Sequence, residues 1–258
     1  MNIKTANFNG VTTIEIARPE KKNALTVAMY QAMADALRAA MADNAVRAVL
    51  ITGQPGIFTS GNDIEDFMSR TPGQGGGNTM DSPVFQFMHA LVECDKPVVA
   101  AVTGAAIGIG TTLLLHCDLV YLSDEARLAM PFVSLGLLPE FASSLLVPQL
   151  MGHRRAAEKL LLGEPFTPEQ AVEFALANAV LPAAEVLNHA RRMAERFNQL
   201  PPGAVQEAKR LLRAPQRELV FKTIRTEAEL FAARLRSPEA MEAFQAFFQK
   251  RKPDFSKF

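Results

Sequence analysis

The sequence predicts an α/β protein that turns wholly helical toward its C-terminal end. Three observations carry that expectation. Residues 2–17 alternate like two short strands around Asn9-Gly10, a dipeptide suited to a tight hairpin turn. Short apolar runs, Ala48-Val49-Leu50-Ile51-Thr52, Val98-Val99-Ala100-Ala101-Val102 and Leu119-Val120-Tyr121-Leu122, then alternate with segments of helical spacing, as parallel strands covered on both faces do. From Arg154 onward only helical spacing remains.

The chain has 258 residues, ample for a sizeable core, and its 27 Lys and Arg balance its 27 Asp and Glu. A formal charge of zero argues against a broad nucleic-acid or membrane footprint, while leaving room for a local basic cluster that grips one anionic ligand. Cys94 and Cys117 lack any metal-type spacing and read as reduced, buried thiols, which suits a cytoplasmic setting. No run reaches the length of a membrane span, and the N-terminus has no basic segment followed by an apolar block. The final Ser256-Lys257-Phe258 comes within one residue of a peroxisomal address but departs from it at Phe258.

After the hairpin comes a polar loop, Arg18 to Thr26, whose Thr26 can cap a helix over 27–43 with Met29, Met33, Ala36, Leu37, Ala40 and Met41 on one side. That methionine stripe reads as core. The strand 48–52 ends at Gly53, and the loop Ile57 to Phe67 opens into a short helix for which Asn62 or Asp63 is a natural N-cap. Residues 71–78, rich in Gly, read as a mobile surface loop beside a pocket or as a disordered one, and a helix follows over 82–94.

Residues 98–118 are the centre of the chain. A strand breaks at Gly104, passes Gly108 and Gly110, and continues as a charge-free apolar segment, so the stretch reads as buried strand, glycine turn, buried helix. Glycines let the backbone approach a ligand closely, and the free N–H groups of a first helical turn favour negative charge there. Tight packing alone would produce the same pattern.

Beyond strands at 119–122 and 126–130, Glu140 follows Pro139 among apolar residues at the start of a helix over 141–151. It is either a first-turn acid favoured by the helix dipole, worth ~0.3–1 kcal/mol, or a carboxylate whose apolar site raises its pKa and makes it a base. Further helices are expected over 155–162, 168–176 and 183–200 and, after the break at Pro201-Pro202-Gly203, over 204–212, 218–235 and 238–249.

The order of motifs resembles the crotonase, or enoyl-CoA hydratase/isomerase, superfamily. Arg18-Pro19 with Asn23-Ala24-Leu25 is similar to its first CoA-binding loop, and Phe58-Thr59-Ser60-Gly61-Asn62-Asp63-Ile64 to its Phe-x-x-Gly-Ala-Asp-Leu/Ile motif. Gly104 to Gly110, followed by Cys117-Asp118, resembles its second oxyanion segment, and Gly163 to Ala171 and Lys250 to Phe255 its later signatures. The resemblance implies a spiral of ββα turns over 1–200, with a C-terminal helical region, 201–258, that assembles trimers or pairs of trimers. It implies an acyl-CoA ligand, with coenzyme A as part of the substrate and no metal or redox cofactor.

By motif position, the thioester oxygen would lie between the N–H groups of Asn62 and Ile109; such donors are worth ~3–4 kcal/mol each. Substrate would contact Lys22, Ala24, Ser60, Asp63, Ile64, Gly108, Phe132 and Leu137, and the tail of a neighbouring subunit around Lys250 would meet the CoA phosphates together with Lys21 and Lys22. Thr112 and Phe132 stand where the hydratases carry water-activating glutamates, and neither can act as a carboxylate, which argues against hydration as the main reaction. The segment Pro131-Phe132 to Pro139-Glu140 instead resembles the Δ3,Δ2-enoyl-CoA isomerases of the peroxisomal type, in which the glutamate at this place is the catalytic base. The expected activity is isomerisation of 3-enoyl-CoA to trans-2-enoyl-CoA, with another acyl-CoA reaction (hydratase or thioesterase) or a non-catalytic acyl-CoA-binding role as alternatives.

Overall fold

The computed structural model describes residues 2–69 and 81–258, with the side chains of 67–69 excepted; the glycine-rich stretch 71–78 lies outside the described residues. The chain opens with the hairpin β1 (Ile3–Phe8) and β2 (Val11–Ile16), turned by Asn9 and Gly10 at φ 46° and 70°. Positive φ at both turn residues is what a two-residue hairpin demands. Helix α1 (Val27–Ala42) follows, its N-cap Thr26 accepting from the Met29 amide. Then come β3 (Ala48–Thr52), β4 (Ile57–Thr59), α2 (Ile64–Ser69), α3 (Pro83–Glu93), β5 (Val98–Val102), β6 (Ala105–Ile107) and α4 (Ile109–Thr112). The chain continues through β7 (Leu119–Ser123), β8 (Arg127–Ala129), α5 (Ser143–Met151), α6 (His153–Leu161), α7 (Pro168–Glu173) and β9 (Ala179–Leu181). Helices α8 (Ala183–Glu195), α9 (Pro202–Arg213), α10 (Arg217–Arg234) and α11 (Pro238–Phe248) complete it.

From β3 onward, successive strands go alternately to two sheets. One runs β1-β2-β3-β5-β7-β9, parallel apart from the opening hairpin, and the other is the parallel β4-β6-β8. Each ββα turn thus contributes one strand to each sheet, the spiral that the motif order implies. The three-residue strands β4, β6 and β9 depart from the sequence expectation, which placed a loop, a glycine turn and a wholly helical region there. The expected buried helix after Gly108 is also short: α4 ends at Thr112 and a 3-10 turn, Leu113–His116, replaces the rest.

Strands β3 and β5 are buried along their whole length because helices cover both faces. Val49, Ile51, Val98 and Ala100 join the core that contains α1 and α3, whereas Leu50, Val99 and Ala101 pack with Val186, Ala190 and Ala194 of α8. At ~1.5–3 kcal/mol for each large side chain removed from water, these two layers are the main support of the spiral. Gly104, at φ 70°, sits where the chain crosses between the sheets; a Cβ there would lie 1.9 Å from the Gly56 carbonyl oxygen.

The C-terminal helices are tied to this frame by charge. Asp118, just after the Cys117 position, accepts from the Val98 amide at 2.7 Å, from Lys209 Nζ at 2.6 Å and from Arg213 at 2.9 Å. Lys209 also donates to the Lys96 carbonyl at 2.6 Å. The Cys117-Asp118 signature therefore serves to seat α9 on β5. Among the described residues, no helix is long and apolar enough to cross a membrane.

Candidate active site

The site begins where the first loop and the β4–α2 loop are stitched together. Asn23, left-handed at φ 54° and buried, donates through Nδ2 to the carbonyls of Ile57 and Phe58 at 3.1 Å each, while its Oδ1 accepts from the Arg18 amide at 2.7 Å. Leu25 N–H donates to Gly61 O at 2.8 Å and Asp63 N–H to Leu25 O at 2.9 Å. Asn62 sits between these two bonds, and its own N–H makes no hydrogen bond among the described residues.

The second amide comes from α4. Gly108 precedes it at φ 58°, ψ −118°, a conformation closed to side-chain-bearing residues, and aims the first N–H of the helix away from the chain. That N–H, of Ile109, also donates to nothing described. Asn62 and Ile109 line one cavity of about 670 Å³, together with Lys22, Ala24, Ser60, Ile64, Gly108, Phe132 and Leu137. Nine expected contact positions thus converge there, counting the two amides. The two remaining positions are Asp63 and Lys250. Asp63 lies at the same cavity, but its carboxylate is engaged elsewhere, taking Arg18 Nη1 at 2.6 Å and the Asp66 amide at 3.1 Å as the cap of α2. Burial alone would raise its pKa, but Arg18 and the helix amides outweigh that and hold it below the usual value. Lys250 lies exposed beyond α11 and is not among the residues lining the cavity.

Tyr30, on the methionine-rich face of α1, escaped the sequence reading. Its hydroxyl donates to Asn62 Oδ1, and the ring is fully buried. Burial, and then the charge of Glu140, push its pKa well above the usual value, so it remains a neutral donor. The available signal was a tyrosine on an apolar helix face, whose O–H needs a partner when buried.

Glu140 is only 5% exposed, and its Oε1 has no hydrogen-bond partner among the described residues. Burial, and secondarily the charge of Glu227, lift its pKa to about 8. It does not occupy a first helical turn. Phe141 and Ala142 follow in left-handed conformation, φ 60° and 57°, and α5 starts only at Ser143, which removes the helix-dipole reading. Left-handed residues with a Cβ cost on the order of 1–2 kcal/mol each. The turn is held by two groups from elsewhere. His116 Nε2 lies 2.8 Å from Phe141 O with its ring stacked on Phe141 at 4.0 Å, and Glu227 of α10 accepts from the Ala142 amide at 2.6 Å. Burial, chiefly, drives the His116 pKa down to about 3; it is neutral, and the carbonyl partner requires the proton on Nε2.

The Glu140 carboxyl opens onto an apolar chamber of about 240 Å³, lined by Val27, Phe85, Met88 and Ile224 among others. Phe231 and Leu235 wall both this chamber and the larger cavity, so the acid and the two free amides belong to adjoining spaces. Of the hydratase positions, Phe132 faces Gly108, and Thr112 Oγ1 is buried without a described partner. No group of metal-ligating residues occurs among the described residues.

The sequence profile described as enoyl-CoA hydratase/isomerase matches residues 6–257. The chain belongs to this family. Its fold is the crotonase fold, and family members act on acyl-CoA thioesters. Enoyl-CoA delta isomerase 2 of Rattus norvegicus is 36% identical over 96% of the chain, which spans 64% of that relative's length. The 2,3-dehydroadipyl-CoA hydratase of Escherichia coli K12 is 30% identical over 95% of the chain and 94% of its own length. Among solved structures, Pseudomonas aeruginosa OdaA superposes with a TM-score of 0.91 at 55% identity, covering 95% of this chain and 98% of that one. Relatives in this family thus include isomerases and hydratases alike, and the reaction has to be argued from the side chains at the site.

Proposed function

We propose that this chain is a Δ3,Δ2-enoyl-CoA isomerase that shifts the double bond of 3-enoyl-CoA to trans-2-enoyl-CoA during fatty-acid breakdown. The observation that carries the reading is a buried carboxylate, Glu140, whose Oε1 has no partner among the described residues, in a chamber adjoining the cavity of the two unbonded amides, with Thr112 and Phe132 at the hydratase positions. Glu140, ionised, takes a proton from C2 of the acyl chain. The electron pair moves onto the thioester oxygen, and the N–H groups of Asn62 and Ile109 receive that dienolate charge. The protonated Glu140 then returns the proton at C4, and the conjugated product leaves. One acid suffices because C2 and C4 present the same face to it. A base with pKa about 8 is matched to a weakly acidic carbon near neutral pH, and the apolar chamber takes the acyl tail and keeps water from the intermediate.

The larger cavity carries Lys21 and Lys22 at its rim and can receive the CoA phosphates. We place the enzyme in the cytoplasm as a homotrimer or a pair of trimers built through the C-terminal helices, 201–258, with Lys250 reaching a neighbour's CoA. Incubation with 3-hexenoyl-CoA in deuterated water tests the reaction: the conjugated 2-enoyl product should form with the C2 proton carried to C4 and little deuterium there. Glu140→Gln should lower turnover ~10²–10⁴-fold while acyl-CoA still binds. Wild-type protein that hydrates 2-hexenoyl-CoA faster than it isomerises the 3-enoyl substrate would refute the reading.

A further inference from the structure

The structure assigns a positioning role to Glu227: with His116, it holds the left-handed turn at Phe141 and Ala142 and thereby fixes where the Glu140 carboxylate lies. The inference rests on the proposed role of Glu140 as the base. Helix α5 begins without a cap of its own, because residue 142 is an alanine with no side-chain acceptor. Its first amides turn instead to a residue 85 and 83 positions away. Ala142 N–H donates to Glu227 Oε2 at 2.6 Å, and Ser144 donates to Oε1 through its amide at 3.0 Å and its hydroxyl at 2.5 Å.

An ordinary helix cap would be a short polar side chain at residue 142 itself. Here a buried carboxylate on α10 is used, which sets a second negative charge beside Glu140. Consecutive left-handed residues persist only where their surroundings over-determine them. Two independent groups do so here, since His116 binds the Phe141 carbonyl and Glu227 the next amide along the chain. Phe141 is also packed edge-on against Phe87, at 6.1 Å between ring centroids. The residue pinned from these directions is the one adjacent to Glu140, so the backbone carrying the acid has little freedom.

The same carboxylate bears on the proton affinity of Glu140. The titratable groups that interact with Glu140 among the described residues are Glu227 from α10 and Tyr30 from α1, while His116, from the turn before β7, contacts the adjacent Phe141. Burial keeps Tyr30 and His116 neutral, which leaves Glu227 as the charge Glu140 feels.

Glu227→Gln tests both parts. It retains shape, removes the charge and leaves one oxygen for three donors. With 3-hexenoyl-CoA, kcat should fall at least ~10-fold with KM unchanged within about twofold, and the acid limb of the pH–rate profile should move to lower pH. A structural role alone would lower thermal stability and leave that limb in place. Ser144→Ala keeps the charge and removes one donor; kcat should fall by about 2–5-fold with the limb unmoved. Either wild-type kcat or an unmoved limb in folded Glu227→Gln overturns the inference, as does wild-type kcat in Ser144→Ala should the first variant not fold. Infrared titration of the Glu140 carboxyl, assigned by its loss in Glu140→Gln, separates this outcome from failure of the base assignment. Activity surviving in Glu140→Gln sinks the base alone, whereas a Glu140 titration unmoved by Glu227→Gln sinks the positioning role.

Discussion

Removing the acid should make folding less sensitive to alkali. The Glu140 carboxyl titrates near 8 in the folded chain against an ordinary 4.5. Between those values the folded state holds a proton that the unfolded state has lost. Stability from this group is therefore complete below about pH 4.5 and is lost as pH rises through about 8. At ~1.36 kcal/mol per pH unit, integration from pH 5 to pH 9 gives a loss of ~4 kcal/mol as a ceiling. Glu140→Gln cannot ionise. Its buried amide adds a cost of its own, but that cost is the same at every pH. Glu227 is also raised by burial and is present in both proteins, so it largely cancels from the comparison. The assay is urea unfolding of both proteins at fixed protein concentration from pH 5 to pH 9. The wild type should lose up to ~4 kcal/mol more than the variant across that range. Parallel pH dependences would mean that Glu140 titrates as an ordinary solvated carboxylate, and the poorly solvated base would have to be given up.

Three other perturbations probe the surrounding geometry. Tyr30→Phe leaves Asn62 Oδ1 without its donor and should cost ~1–2 kcal/mol in urea unfolding, with kcat/KM for 3-hexenoyl-CoA reduced about 10-fold as the Asn62 amide loses its support. Gly108→Ala forces a side chain into φ 58°, ψ −118°; stability should drop by about 1–3 kcal/mol and kcat by at least ~10-fold, measured by calorimetry and steady-state kinetics. Arg18→Gln strands the buried Asp63 carboxylate and should cost ~2–3 kcal/mol at pH 7. Because the Asp63 pKa is depressed, that cost should fade as pH falls below about 4, which acid unfolding of the variant beside the wild type would reveal.

The elements legible in the sequence are those whose signal is local. The hairpin is written in Asn9-Gly10, α1 in its Thr26 cap and methionine spacing, and β3, β5 and β7 in their apolar runs. Strands β4, β6 and β9 span three residues each, too few to show a period, and β6 lies inside a run of glycines that reads as a turn. At the site, motif order brought together the positions that line the cavity, including the amides of Asn62 and Ile109. Composition was silent on the acid's supports. Tyr30 belongs to no motif, His116 sits inside an apolar run, and Glu227 lies on a long helix far along the chain. Each acts through a partner distant in sequence, and no local pattern encodes such a pairing. Asp63 shows the converse: a motif residue whose conspicuous charge is satisfied by Arg18 and the start of α2.

The last third of the chain carries a wall of the chemistry. Helix α10 contributes Phe231 to the boundary between the two spaces, and the residue just past its end, Leu235, completes that boundary. A chain cut near residue 200 would retain the strands and the segments that bear both amide donors, yet it would lose this wall and Glu227, and with them part of the burial that raises the proton affinity of Glu140. During refolding, helical content and sheet pairing should return before turnover does, because the base acquires its strength only when the closing helices come to rest.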